Sequence, residues 1–560
     1  MNTTSNLRTG GQALVDQLRI HGADMAFGVP GESYLAVLDA LHDVPQIRYV
    51  ICRQEGGAAM MADASGKLTG RPGICMVTRG PGATNASAGV HIADQDSTPM
   101  ILLIGQVGRG EMGREAFQEI DYQRMYGDIA KWVCQIDRPE RIPEIMSRAF
   151  HTATAGRPGP VVLALPEDML RERTGVADAL PYQPARAHPG SDDMARLRQL
   201  LADAKRPFVI LGGGGWDAQA VADMRAFLEA NSLPAGVAFR RQDRLDNTHP
   251  NYAGHVGIGV DAKLMRRITE ADVLLVIGTR LGEMSSQGYT LIDIPRPRQT
   301  LVHVLAGAEE LGQVYQPDLA INAAMGPFAA AARAMDPIAS APWAEGTAAA
   351  HQDYLDTLTT PTLPGAVQMG EIMAWLREIL PPESIVTNGA GNFSAWPNGF
   401  YQYRAFPCQL APTSGSMGYG TPAAVAAKLV YPERPVVAFA GDGCFLMNGQ
   451  ELATAAQYGL GIIVLVINNG MYGTIRMHQE RDFPGRTVGT DLINPDFAAL
   501  AQAYGAHGET VERTEDFAPA FERAMASGKP AVIELRVDPE AITPRTSLSA
   551  IRDKALAAQT

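Results

Sequence analysis

The sequence is poor in the features that announce a special class of protein. Five cysteines in 560 residues (Cys52, Cys75, Cys134, Cys408 and Cys444) are scattered, with no CxxC and no even-numbered framework. They read as small buried hydrophobes in a reducing compartment. No apolar run approaches bilayer length; "GIIVLVI" at 461 is far too short to span one. The opening "MNTTSNLRTGGQALVDQL" lacks the apolar core of a signal peptide, so a cytoplasmic location is expected. Basic charge is also short: the net charge of −13 leaves no footprint for nucleic acid or an anionic membrane. Short internal repeats and low-complexity tracts are missing.

What is there is ordinary globular material, 46% hydrophobic and 19% charged, in a chain too long for one core. Length alone suggests two to four domains. Short apolar runs alternate with helix-like segments: "GICMVT" at 73, "MILLIG" at 100, "PVVLALP" at 160, "PFVILGG" at 207 and "ADVLLVIG" at 271. The later ones are "SIVTNG" at 384, "PVVAFAGDG" at 435, "GIIVLVINN" at 461 and "AVIEL" at 531. Many lack polar alternation, as strands covered on both faces do, which predicts parallel sheets in α/β layers. Two stretches break the pattern, one from 171 and one from about 336 to 368, and both read as linkers. The expected architecture is α/β, with three doubly wound parallel-sheet domains at 1–180, 190–340 and 366–560.

The segment 441–469, "GDGCFLMNGQELATAAQYGLGIIVLVINN", places Asp442 and Asn469 each after an apolar strand. In doubly wound domains ligands gather at the carboxyl ends of the strands. A hard divalent cation takes oxygen donors: a carboxylate, an amide oxygen, a backbone carbonyl and phosphate oxygens. Gly441 and Gly443 let the backbone approach a phosphate, and the helix that follows can aim its N–H groups at it. Either GDG or NN alone is a common turn. Their pairing, each after an apolar strand, is the informative feature.

This segment resembles the diphosphate-binding motif of thiamine diphosphate (ThDP) enzymes. The resemblance implies Mg²⁺ held by the side chains of Asp442 and Asn469 and by the Met471 carbonyl. It extends to the N-terminal part, with "GVPG" at 28–31, "RQEGGAAMMADASGKLTGRPG" from 53 and "TRGPGATN" from 78. On local sequence Glu55 reads as a solvated helix-capping residue; the resemblance makes it the catalytic glutamate of the pyrimidine-binding domain. A carboxyl group on N1′ of the aminopyrimidine favours the 4′-imino form, whose nitrogen then removes the C2 proton; a partly apolar site would help Glu55 share a proton. "TSGSMGYG" at 413–420 is similar to the segment that bends the cofactor, with Met417 as the wedge and the Gly415 carbonyl as acceptor for the 4′-amino group. A plain core methionine is the alternative. Cofactor contacts are also implied at Pro30, Asn392, Gly441, Gly443 and Cys444. The family holds the two ends of ThDP on different subunits, which implies a homodimer or homotetramer.

The match covers nearly the whole chain and is nearest the acetohydroxyacid synthase-like group, through "DSTPMILLIGQV" from 96, "REAFQEID" from 114 and "GRPGPVVLALPEDM" from 156. It implies decarboxylation of a 2-oxo acid and ligation of the remaining acyl unit to a second carbonyl compound, giving 2-acetolactate from two pyruvates. Phe117 and Gln118 match residues on the substrate side. Where that group carries Trp in "QWE", this chain reads "GMYGTIRMHQERDFPG", with His478 near that place either as a packing residue or as a substrate contact. Where the group presents Gln-His to the diphosphate, this chain has "GAGNFSAW". The adjacent His pair of pyruvate decarboxylases is missing, and Thr78 stands roughly where benzoylformate decarboxylases carry a catalytic His. FAD is possible but not favoured: "ILGGGGW" at 210 and Arg157 suit a nucleotide, whereas "GTRLGE" and "LVHVLAGAEELG" depart from the flavin-binding pattern. The alternatives are a non-ligating lyase of a larger 2-oxo acid or acyl-CoA substrate, and a non-enzymatic nucleotide-binding protein that kept the fold. Intact Glu55, Asp442, Asn469 and Met417 argue against the last.

Overall fold

The computed structural model describes residues 7–559. Three six-stranded, wholly parallel sheets carry the fold. The first is built from β1 (Met25–Gly28), β2 (Arg48–Ile51), β3 (Gly73–Val77), β4 (Met100–Gln106), β5 (Trp132–Gln135) and β6 (Pro160–Pro166), in the order β2-β1-β3-β4-β6-β5. Its central strands β3, β4 and β6 are buried at every position, which is why they read as unbroken apolar runs. Helices α1 (Glu55–Thr69) and α2 (Pro81–Asp96) follow β2 and β3.

The second sheet contains β7 (Pro207–Leu211), β8 (Ala235–Ala238), β9 (Tyr252–Val256), β10 (Val273–Ile277), β11 (Thr300–Leu305) and β12 (Leu319–Asn322), ordered β9-β8-β7-β10-β11-β12. The direction of winding reverses between β7 and β10, so the crevice of a doubly wound domain lies at their carboxyl ends. The segment from 336 to 368, expected to be a linker, contains a 14-residue helix, α3 (Ala344–Thr357). Thr347, Ala350 and Tyr354 are spaced to share one face, and that face is buried, with Tyr354 packed edge-on against Tyr252 of β9. The polar composition hid three anchoring positions.

The third sheet contains β13 (Ile385–Asn388), β14 (Gln409–Leu410), β15 (Val436–Gly441), β16 (Ile463–Asn468), β17 (His507–Val511) and β18 (Ala531–Arg536), ordered β14-β13-β15-β16-β18-β17. Four helices matter for its site: α4 (Asp442–Asn448), α5 (Glu451–Gln457), α6 (Gly473–Asp482) and the C-terminal α7 (Leu548–Gln559).

The chain forms two compact units, one reaching to Ala185 and including Val425–Val430, the other comprising Arg186–Ala424 and the residues from Tyr431 onward. The middle and C-terminal sheets therefore share a unit. A polar segment of the middle domain explains it. The Gln242 N–H donates to Gln409 Oε1 at 2.7 Å, Asp243 Oδ2 accepts the N–H groups of Cys408 and Gln409 at 3.1 and 3.2 Å, and Asn247 and Tyr403 exchange two hydrogen bonds of 2.9 Å. Among the described residues no helix is long and apolar enough to cross a membrane.

Candidate active site

In the third sheet, β15 and β16 pair in a register that sets Gly441 opposite Ile467. Asp442 and the paired asparagines are thereby neighbours at one sheet end. Asp442 is almost fully buried, at 3% exposure; its Oδ1 accepts the Gly443 N–H at 2.9 Å and its Oδ2 accepts Asn494 Nδ2 at 2.8 Å. Burial raises the Asp442 carboxyl above the usual range, and the hydrogen bonds from Gly443 and Asn494 act against that shift.

The two asparagines divide their work. Asn468 is committed to structure: its Oδ1 accepts the Gly470 N–H at 3.0 Å and Asn494 Nδ2 at 2.9 Å, and its Nδ2 donates to buried Glu534 at 2.7 Å. Asn469 Oδ1 accepts a long contact of 3.3 Å from the Met471 N–H, and the Met471 carbonyl accepts the Gly473 N–H at 2.8 Å. Asn494, for which the sequence offered no signal, donates to both Asp442 and Asn468, while its own Oδ1 is buried without a partner.

This donor set fits a hard cation. Among the described residues no three His, Cys, Asp or Glu side chains converge on a metal site. One buried carboxylate, an amide oxygen and a carbonyl would leave several coordination places for water and phosphate oxygens, as Mg²⁺ prefers. The buried charge of Asp442 and the orphaned amide oxygen of Asn494 are the local features that such an ion would relieve.

The glycines around Asp442 have a packing reason as well. A Cβ on Gly443 would stand 2.5 Å from the Tyr472 ring, and one on Gly441 would stand 2.9 Å from Phe393. Cys444 is buried; its sulfur accepts the Gly418 N–H at 3.2 Å and would meet a Cβ on Gly389 at 2.3 Å. It ties α4 to the loop that carries Gly415 and Met417. Gly415 is exposed at φ +71°, its N–H closing a turn on the Pro412 carbonyl at 3.1 Å. Met417 is only partly buried, packed on the edge of the domain core, so it is not an interior methionine. Asn392 exchanges hydrogen bonds of 2.9 and 3.0 Å with Thr474, and its Nδ2 donates to the Ile542 carbonyl at 3.1 Å. It thus links α6 to the C-terminal segment. His478 lies on α6, part-buried, with Nδ1 buried and unpartnered.

In the first unit, Glu55 is the first residue of α1, but Gln54 caps the helix by accepting the Gly57 N–H at 2.9 Å. The Glu55 carboxylate instead accepts Asn85 Nδ2 of α2 at 2.9 Å, and a Cβ on Gly82 would lie 3.5 Å from its other oxygen. Pro30 is exposed in the loop after β1, and neighbouring Gly31 lies so close that a Cβ there would meet the Thr78 side chain at 2.5 Å. Thr78 Oγ1 shares a hydrogen bond of 2.8 Å with Ser33. Phe117 is 73% exposed, its carbonyl accepting Arg79 Nε at 3.2 Å, and Gln118 at φ +66° sits against Gly80. The loops carrying Pro30, Glu55, Thr78 and Gln118 are thus gathered within this unit, while Asp442, Asn469, Met471, Asn392, Gly415, Met417 and His478 belong to the other.

At the crevice of the middle domain the two glycine-bearing loops pack closely and carry hydrogen bonds of their own. The loops after β7 and β10 touch backbone to backbone, since a Cβ on Gly213 would be 1.8 Å from the Gly278 carbonyl oxygen. Trp216 Nε1 donates to Gly212 O at 2.8 Å, and the guanidinium groups of Arg241 and Arg244 donate to Gly213 O at 3.2 and 3.3 Å. Arg157, the other candidate for a flavin contact, donates to Ser97 Oγ at 2.9 Å and to Asp94 O at 2.5 Å at the end of α2.

Three α/β domains, each built on a parallel sheet, with a buried carboxylate and amide oxygens at paired strand ends, define the architecture of a ThDP-type enzyme. Comparison with known families agrees along the chain. Residues 8–125 match "Thiamine pyrophosphate enzyme, N-terminal TPP binding domain", 194–332 its central domain and 389–535 its C-terminal TPP binding domain. The chain belongs to the thiamine pyrophosphate enzyme family. It is similar to the acetolactate synthase large subunit of Parasynechococcus marenigrum, 32% identical over 549 residues that cover 94% of this chain and 87% of the relative. The large subunit of acetolactate synthase isozyme 2 from Escherichia coli is 30% identical over 539 residues, covering 94% and 95%. The acetolactate synthase large subunit of Corynebacterium glutamicum is 31% identical over 552 residues, covering 95% and 87%.

Proposed function

We propose that the protein is a ThDP- and Mg²⁺-dependent carboligase of 2-oxo acids, taking pyruvate as donor and joining its acyl unit to a second carbonyl compound. The observation that carries this reading is the buried Asp442 carboxylate beside Asn469 and Asn494 at the joined ends of β15 and β16. Full-length similarity to acetolactate synthases supports the ligating outcome. ThDP, when bound, supplies a carbon nucleophile and an electron sink for decarboxylation.

The chain's own groups supply the rest. Asp442, Asn469 and the Met471 carbonyl would hold Mg²⁺, and the backbone at Gly441 and Gly443 would lie close to the diphosphate. Glu55, oriented by Asn85, holds the proton at N1′ of the pyrimidine. Met417 would set the bend of the cofactor, and the Gly415 carbonyl would receive its 4′-amino group. Phe117, Gln118 and His478 face substrate. Pro30, Gly441 and Gly443 line the cofactor, and Cys444 and Asn392 hold its surroundings in place. Because the family holds the two ends of ThDP on different subunits, the working form is taken to be a homodimer or a homotetramer, with Glu55 and Asp442 of a site coming from different subunits. The domains run 1–180, 190–340 and 366–560, the location is the cytoplasm, and FAD in the middle domain is possible but not favoured. The Thr78 hydroxyl is held by Ser33 and supplies no acid for simple protonating decarboxylation.

The test is incubation of the purified protein with ThDP, Mg²⁺ and pyruvate, following CO₂ and 2-acetolactate together. One CO₂ per acetolactate supports the proposal. An aldehyde product would replace it with a lyase, and no pyruvate consumption by protein with ThDP bound would move the donor to larger 2-oxo acids.

A further inference from the structure

The middle domain sends one side chain to the turn that presents Gly415 and Met417. Arg240 follows β8 and is 4% exposed. Its backbone is left-handed, at φ +57°, a conformation a long side chain adopts only where its surroundings impose it. The guanidinium stacks over the Phe239 ring at 4.8 Å and donates through Nη1 to the Pro412 carbonyl and through Nη2 to Ser394 Oγ at 3.4 Å.

Both acceptors belong to the cofactor-binding domain, and both are strategic. The Pro412 carbonyl is the one on which the Gly415 N–H closes its turn at 3.1 Å, so a single oxygen serves the turn and the guanidinium. Ser394 Oγ donates in turn to Gly391 O at 2.7 Å, in the loop after β13 that carries Asn392. Gly415 itself is exposed, at a positive φ natural to glycine and with nothing within reach of a Cβ there, so at this residue the turn is held by its backbone bond to Pro412 and not by side-chain packing. A charge-assisted bond from a buried, planar donor fixes the carbonyl on which the turn closes.

We propose that Arg240 is a positioning residue for cofactor activation: it fixes the 412–417 turn, and through it the Gly415 carbonyl and the Met417 wedge, while contributing little to anchoring the diphosphate. This rests on the ThDP reading above. It makes the middle domain an active part of the site through its 239–243 segment. Anchoring and activation then separate, because the diphosphate is held at residues 441–471 and the bend is set at 412–417.

The experiment compares wild type with Arg240→Gln and Arg240→Lys in two measurements. Calorimetric titration with ThDP and Mg²⁺ reads anchoring; quenched-flow exchange of the C2 proton of bound ThDP for deuterium, followed by NMR, reads activation without substrate. The expected result is a Kd within about threefold of wild type for both variants and a C2 exchange rate at least tenfold slower in Arg240→Gln. Arg240→Lys, which keeps a cationic donor but not the fork, falls between. Wild-type exchange in a folded, ThDP-bound Arg240→Gln overturns the proposal, as does a loss confined to Kd. If Arg240→Gln fails to fold, Arg240→Lys decides: exchange slowed threefold or more at unchanged Kd supports the role, and unchanged exchange overturns it. Failure of the ThDP reading itself looks different, since wild type would then bind no ThDP.

Discussion

Arg552→Met should loosen the C-terminal helix and, through it, the metal turn. Glu480 of α6 is 1% exposed, and its carboxylate accepts Arg552 Nε at 2.8 Å, Arg552 Nη2 at 2.6 Å and the Gly485 N–H at 2.9 Å. Hydrogen bonding from Arg552 holds the Glu480 carboxyl below its ordinary range. Each charge-assisted bond contributes about 1.5–3 kcal/mol when well shielded. The Arg552 side chain is 34% exposed, so water screens the pair and about 2–3 kcal/mol for both bonds together is the better figure. That raises the population of undocked α7 roughly 30- to 150-fold, at tenfold per 1.4 kcal/mol. Hydrogen–deuterium exchange of amides between 552 and 556 measures it directly. The loosening should also weaken Mg²⁺–ThDP binding, because Met471 packs in one small apolar cluster with Ile542, Leu548, Met477 and Ile551. The sign with pH is fixed: a depressed carboxyl pKa gives stability above the unfolded value, near 4.3, that is lost as pH falls through the lower folded value. Wild type in acid should therefore resemble the variant at pH 7. Amide protection in Arg552→Met within twofold of wild type would refute the reasoning.

Two other outcomes are expected. Glu55→Gln keeps Mg²⁺–ThDP affinity within a few-fold but slows C2 exchange by roughly 10²-fold or more, since an amide still meets Asn85 but cannot hold the N1′ proton; wild-type exchange in this variant would remove Glu55 from catalysis. His21 is buried against Phe150, its Nδ1 accepts the Tyr182 N–H at 3.2 Å, and burial lowers its pKa to about 4. The neutral ring thus stabilises the fold fully above about pH 6.5, and that stability, on the order of 3 kcal/mol, is lost progressively as pH falls from about 6.5 to the folded value near 4. His21→Gln, which keeps an acceptor but cannot titrate, should show a smaller drop in Tm between pH 7 and 4.5, and an equal drop would show that another group controls the acid limb.

The nine apolar runs singled out in the sequence are all strands, because each lies inside a sheet covered on both faces. The other nine strands of these sheets carry no such run: six are sheet edges, among them Trp132–Gln135, Gln409–Leu410 and His507–Val511, and three are interior, Met25–Gly28 and Ala235–Ala238 with four residues each and Thr300–Leu305 with a polar His303 in its middle. Edge strands need no continuous apolar run, so hydrophobicity does not mark them. The helix Ala344–Thr357 was hidden for a related reason: its buried stripe is narrow and made of Thr, Ala and Tyr. That the middle and C-terminal domains share one compact unit follows from buried polar pairs such as Asp243 with Cys408 and Gln409. Such pairs are 165 residues or more apart in the chain and leave no local pattern.

The candidate site divides along the same line. A metal and a phosphate dictate residue types, so Asp442, Asn469 and the glycines beside them stand out wherever a strand ends. Support dictates only that some partner be present. Asn494 could have been another amide or a serine on another loop, and only its contacts with Asp442 and Asn468 give it meaning. Arg240 is one arginine in "FRRQDR", yet the three in that segment do different things: Arg241 and Arg244 donate to Gly213 O within the middle domain, while Arg240 reaches Pro412 and Ser394. Its left-handed φ is what separates it from its neighbours, and that angle is invisible in sequence because the residue is not glycine. Groups that touch the cofactor are therefore legible from their chemistry, whereas groups that hold those in place become legible only through geometry. Substrate choice belongs with the second kind: where the acetolactate synthase-like pattern has Trp, this chain has His478, whose meaning depends on what its buried Nδ1 meets when α6, α7 and substrate are all in place.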